Sequence, residues 1–311
     1  FLFVYRNSWA PARITVTEVE EMFISGQIKR IDNFEKTARQ CCEEGDSLRK
    51  LEKYWEALSA YEQALELDPE YEVAYHNRGF TYDQMGDYRQ AVRDYGMALY
   101  WAPEEAVTFF NRAAAYLELG EYQKAIEDYD RALEINPGYS AAYYNRGFVN
   151  VVSGDFHQAV DNYTRAIEIN PNEAHFYYSR GAAYDNLGDC HSSIKDYNRA
   201  LELNPENAFA YHNRGVSYDK LGKYSQAVTD FNKALELAPD KAVFYNNRAM
   251  AYDNLGRYSE AIADYDKAIE LDPEEAVYYY NRGFTYGETG NKEQKTRDLQ
   301  IAAGLGYESA K

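Results

Sequence analysis

The chain is 311 residues long, and 51 acidic against 33 basic side chains leave it a net charge of −18. A surface of that sign repels phosphate, which excludes nucleic acid and anionic membrane as general partners. No apolar run is long enough to span a bilayer, and Cys41, Cys42 and Cys190 have neither metal-ligand spacing nor a disulfide pattern.

The first residue is Phe1, not Met, so a mature, trimmed or partial product is expected, soluble and either cytoplasmic or exported after processing. Phe1 to Tyr5 are apolar but too short for the core of a signal peptide. Arg13 to Thr17 alternate like a short strand. Thr17-Glu18-Val19-Glu20 has the spacing of a capping box, predicting a helix from 18 that Ser25-Gly26 ends. Gln27 to about Ala38 reads as another helix, with Ile28, Ile31 and Phe34 as an apolar stripe that leads directly into the first repeat. Residues 1–37 carry five basic and five acidic side chains, so the acidic excess lies beyond them.

From residue 38 the sequence repeats itself every 34 residues, in windows starting at 38, 72, 106, 140, 174, 208, 242 and 276. In 242–275 the marked places hold Tyr245, Gly256, Tyr258, Ala261, Tyr265, Ala268 and Pro273; one period earlier they hold Tyr211, Gly222, Tyr224, Ala227, Phe231, Ala234 and Pro239. Val243, Phe244, Tyr245, Ala249, Tyr252 and Leu255 recur at helical steps. Gly256 suits the left-handed residue that closes a helix. A second period runs from Ala261 to Leu271, and Asp272-Pro273 stops it. Each window therefore predicts helix A, a turn, helix B and a turn. The first window is weak in helix A, where Cys41 replaces the aromatic and Glu52 replaces the glycine. The last, 276–309, decays in helix B, with Lys295 for alanine and Leu299 for tyrosine, as a polar terminal cap would.

This period, with its order of aromatics, small residues and terminal proline, resembles the tetratricopeptide repeat (TPR) family over 38–309. The resemblance implies an all-α fold: a right-handed α-solenoid of helix–turn–helix units, with helix A lining the concave surface and 1–37 as a non-repeat N-terminal segment.

Counting places from the start of each window, Asn-Arg recurs at the sixth and seventh: Asn77-Arg78, Asn111-Arg112, Asn145-Arg146, Asn213-Arg214, Asn247-Arg248 and Asn281-Arg282, with Ser179-Arg180 as the exception. The twenty-third place holds Asp94, Asp128, Asn162, Asp196, Asp230, Asp264 and Asp298. The seventh and twenty-third places are equidistant from the A–B turn, so antiparallel helices bring them level as structural ion pairs. The sixth place turns about 100° away, onto the open face of helix A. An amide there offers a donor and an acceptor, and the column resembles the asparagine ladder of peptide-holding TPR superhelices. The other reading is that each Asn caps a helix or bridges neighbouring helices. The fifth and ninth places add aromatics, and Asp83, Asp185, Asp219 and Asp253 at the twelfth add an acidic edge. The candidate peptide-binding groove is thus Asn77, Asn111, Asn145, Asn213, Asn247, Asn281, Phe80, Phe110, Tyr144, Phe148, Tyr178, His212, Tyr280 and Phe284. It lacks the Lys/Arg cluster of the carboxylate clamp in other TPR proteins.

The five His residues have no partner at metal spacing and no nucleophile, and no glycine loop cradles phosphate. No catalytic residue, metal or cofactor is expected. The expectation is a non-enzymatic scaffold that binds an extended or helical segment of a protein or peptide. The alternatives are a structural subunit assembling with copies of itself, head to tail or through 1–37, and a regulatory domain of a larger enzyme.

Overall fold

The computed structural model of the chain describes residues 3–4, 12–13 and 36–307. Strands β1 (Phe3–Val4) and β2 (Ala12–Arg13) pair antiparallel, Phe3 opposite Arg13. The strand expected over 13–17 meets this pair at Arg13 only; its remainder and the expected helices between 18 and 35 lie outside the described residues.

The rest of the described residues form sixteen helices and the turns between them. They are α1 (Ala38–Lys50), α2 (Tyr54–Leu67), α3 (Glu72–Gln84), α4 (Tyr88–Trp101), α5 (Ala106–Glu118), α6 (Tyr122–Ile135), α7 (Ser140–Val152), α8 (Phe156–Ile169), α9 (Ala174–Asn186), α10 (Cys190–Leu203), α11 (Ala208–Lys220), α12 (Tyr224–Leu237), α13 (Ala242–Asn254), α14 (Tyr258–Leu271), α15 (Ala276–Glu288) and α16 (Lys292–Gly304). Odd numbers are helix A of each repeat and even numbers helix B. The helix expected to run through Ala38 does not: Thr37 is extended and caps α1, exchanging hydrogen bonds with Gln40 in a capping box.

The chain divides into two compact units, 1–74 and 75–311. In the first, α1 packs on α2, burying Cys41 and Cys42 as small hydrophobes. The second is an α-solenoid. Each helix packs on the next, and successive A helices also touch, as α9 does α11 and α11 does α13.

The repeated residues explain the helix pair. The twentieth- and twenty-seventh-place alanines, such as Ala227 and Ala234, are fully buried, so the backbones approach closely. The twenty-fourth-place ring fills the gap beside them: Tyr95, Tyr129, Tyr163, Tyr197, Phe231 and Tyr265 are all buried. That ring needs a small residue at the eighth place, because a Cβ on Gly215 would stand 2.8 Å from the Phe231 ring. The A–B turn needs a left-handed residue, supplied by Gly256 at φ +71° and its equivalents; Glu52, at φ +59°, occupies that place in the first repeat.

Candidate functional site

The seventh-place arginines tie each repeat together. Six of them (Arg78, Arg112, Arg180, Arg214, Arg248 and Arg282) grip the twenty-third-place Asp of the same repeat through Nε and Nη2, at 2.6–2.8 Å. Arg146 meets the neutral Asn162 at 2.8 Å, and Asn162 is buried and also bonded to Asn150. Each guanidinium lies over its fourth-place ring, as Arg214 does over Tyr211 at 5.4 Å. A third contact is not foreshadowed by the pairing rule. Nη1 reaches back sixteen residues to helix B of the preceding repeat: Arg214 to Asn198 at 2.7 Å, Arg248 to Asn232 at 2.7 Å, Arg282 to Asp266 at 2.6 Å, and Arg146 to Asp130. Each of these arginines therefore joins two repeats. The signal was present in the twenty-fifth-place column Asp130, Thr164, Asn198, Asn232 and Asp266.

The fifth place is not the fully open groove surface that helical spacing alone suggests: its aromatics are half-buried. Its rings pack on the twenty-fourth-place rings, with centroids 5.4–5.9 Å apart from Tyr144–Tyr163 to Tyr178–Tyr197. His212 and Asn246 are buried, and His212 stacks on Phe244 of the next repeat at 4.3 Å. The reason is that a neighbouring A helix covers this side of the helix.

The sixth-place amides are drawn into the same contact. From the fifth to the eighth repeat they form one directional hydrogen-bond chain. Asn281 Nδ2 donates to Asn246 Oδ1 at 3.0 Å, Asn246 Nδ2 to Asn247 Oδ1 at 3.1 Å, and Asn247 Nδ2 to His212 Nε2 at 2.9 Å. His212 Nδ1 donates to Asn213 Oδ1 at 3.1 Å, and Asn213 Nδ2 to the Tyr178 hydroxyl at 3.1 Å. The run requires the neutral Nδ1–H tautomer of His212, and burial holds that imidazole below its ordinary pKa, against a smaller opposing pull from Asn213. Farther along, Tyr144 meets Ser179 at 3.2 Å, and Asn111 meets His76 at 3.5 Å. The donors of this ladder thus bridge neighbouring A helices.

The ninth place is open at three positions, while Phe80 and Val216 are half-buried. Phe148 is 45% exposed, Met250 40% and Phe284 54%. Two of the twelfth-place acids, Asp185 and Asp253, are nodes rather than a free acidic edge. Asp185 accepts from the Tyr197 hydroxyl and from Ser217 of the next repeat, both at 2.7 Å; Asp253 accepts from Tyr265 at 2.9 Å and Thr285 at 2.7 Å.

Asp219 lacks both kinds of donor, because Phe231 replaces the tyrosine and Ala251 the hydroxyl of the next repeat. Its Oδ1 is buried without a partner. Burial lifts its carboxyl above the usual range, against a smaller pull from the Asn254 amide. Phe231→Tyr supplies the missing hydroxyl and is expected to stabilise the fold by about 1 kcal/mol. The folded state holds the Asp219 proton longer than the unfolded chain, so stability falls as pH rises from the ordinary carboxylate range through the raised value. The variant lowers that value and flattens the fall. Thermal melting across acidic pH checks both effects; an unchanged or lower melting temperature contradicts them.

Among the described residues no group of three or more His, Cys, Asp or Glu is placed to hold a metal ion, and no helix is long and apolar enough to cross a membrane.

Family models described as tetratricopeptide repeat match residues 73–105, 106–139, 208–241, 242–275 and 264–297, and one described as TPR repeat matches 45–86, 152–188 and 186–222. Among solved structures, YrrB, described as a TPR protein with an unusual peptide-binding site, is 25% identical, with a TM-score of 0.54 over 59% of this chain and 95% of that one. MamA is 29% identical, with a TM-score of 0.52 over 55% of this chain and 93% of that one. The C-terminal part of a TPR repeat-containing protein from Cytophaga hutchinsonii, 19% identical, has a TM-score of 0.65 over 77% of this chain and 98% of that one, and speaks for the fold alone. No curated protein matches the chain.

Proposed function

We propose, for a chain that belongs to the tetratricopeptide repeat family, a non-enzymatic protein-binding role in which the A-helix face holds an extended or helical segment of a partner. The observation that carries this reading is the ninth-place row, where Phe148, Met250 and Phe284 stay exposed while the fifth-place His212 and Asn246 are buried. Exposed apolar side chains in line on one face mark an interaction surface. The likeness to YrrB supports a peptide as the class of ligand.

The mechanism turns on which groups remain available. The amide donors bridging the fifth to eighth repeats already have acceptors, so the segment is held mainly by apolar anchors on the ninth-place row. Asn111 and Asn281 keep Oδ1 atoms able to accept from its backbone N–H groups. The acidic surface favours segments without excess negative charge.

The experiment is to pan a random-sequence peptide library over the full chain and track hydrogen exchange with a recovered peptide. Added protection is expected in helices A between α5 and α15. Failure to recover any peptide, or protection confined to helices B, would overturn the reading.

A further inference from the structure

A cavity of about 450 Å³ opens on the A-helix face, walled by Asp83, Tyr88, Glu118, Tyr144, Asn145 and Phe148. Three features of the sequence coincide there. The ninth-place residue of the third repeat is Ala114, which leaves a gap in the row between Phe80 and Phe148. The twelfth-place residue is Leu117 instead of Asp, so the fully buried Tyr129 has no carboxylate of its own repeat. The fifth-place residue is Phe110, so Asn145 finds no acceptor at the place where Asn213 and Asn247 find theirs. The hydrogen-bond chain between neighbouring A helices is interrupted at this point.

The charges of the cavity are equally unmatched. No Lys, Arg or His lines it. Neither Asp83 nor Glu118 has an ion-pair partner among the described residues. Burial, and then repulsion from Glu118, hold the Asp83 carboxyl above its usual range.

We propose that this cavity receives the cationic head of a lysine or arginine side chain carried by the bound segment. The proposal rests on the reading of the A-helix face as the binding surface. Two carboxylates without a counter-ion attract such a head, and its arrival removes their mutual repulsion. Tyr144 and Phe148 present rings to the cation. Asn145 and the carboxylates accept its N–H donors. The net charge of −18 draws basic partners in from a distance.

The test pans one random-sequence peptide library over the full-length wild type, the Glu118→Gln variant and the Asp83→Asn/Glu118→Gln double variant. Glu118 lies at the surface end of its helix, so the single variant keeps the fold, and melting curves check the double one. Wild-type selection is expected to enrich Lys or Arg at one register position. Replacing that lysine by norleucine is expected to weaken binding about tenfold, and the enrichment should fade in the single variant and vanish in the double. Peptides retained without a basic position, or the same preference on the double variant, overturn the cation site while leaving the groove reading intact. Recovery of no peptide overturns both.

Discussion

Arg214→Ala is expected to destabilise the chain by about 3–5 kcal/mol, the loss usual when one partner of a buried ion pair is removed. Arg214 holds Asp230 through Nε–Oδ2 at 2.7 Å and Nη2–Oδ1 at 2.6 Å, with side chains only 17% and 6% exposed. Without the guanidinium the carboxylate stays in a site that water barely reaches. The same substitution cuts the Nη1 bond to Asn198, so the interface between the fifth and sixth repeats weakens as well. In a solenoid, stability is close to a sum of repeat and nearest-neighbour contributions, and both are reduced here. Arg146→Ala is the internal control. Its helix-B partner is the neutral Asn162, and its backward partner Asp130 is half exposed, so about 1–2 kcal/mol is expected. Urea titration of the two variants against wild type checks the order. Equal and small shifts would mean that the Asp column is solvated rather than buried.

These residues also show what was legible in the sequence. A period of 34 residues placed every helix after residue 38 and every A–B glycine, because each repeat solves the same local packing problem. The Arg–Asp pairing came from equal distances to a turn, which is a property of one hairpin. The fifth place was misread because a single helix does not reveal what covers it. His212 points away from its own helix B, as the spacing says, but Phe244 of the next repeat lies against it at 4.3 Å. Contacts from fifth to sixth places join residues 35 apart, such as Tyr178 and Asn213, and depend on how repeats stack. Asp185 and Asp253 were read as free for the same reason: the partners of Asp185 are a tyrosine across the turn and a serine one repeat on. At the ninth place the outcome differs from repeat to repeat: Phe148, Met250 and Phe284 are exposed, whereas Phe80 packs beside Ala115 and Val216 beside Ala251 of the next repeat.

The ninth-place row therefore carries the central claim, and its removal should have the largest effect on binding. Phe148 and Phe284 are about half exposed, so Glu at these places adds charge where an apolar anchor is needed without touching the core. Aromatic anchors at interfaces commonly contribute about 2 kcal/mol or more, so the Phe148→Glu/Phe284→Glu variant is expected to bind a recovered peptide on the order of tenfold to a hundredfold more weakly. The decisive measurement is the affinity of that peptide for wild type and for this variant, with melting curves recorded on both. A large loss of affinity at an unchanged melting temperature is the result expected of a segment held on the A-helix face. Equal affinity for the two proteins would place the binding surface elsewhere.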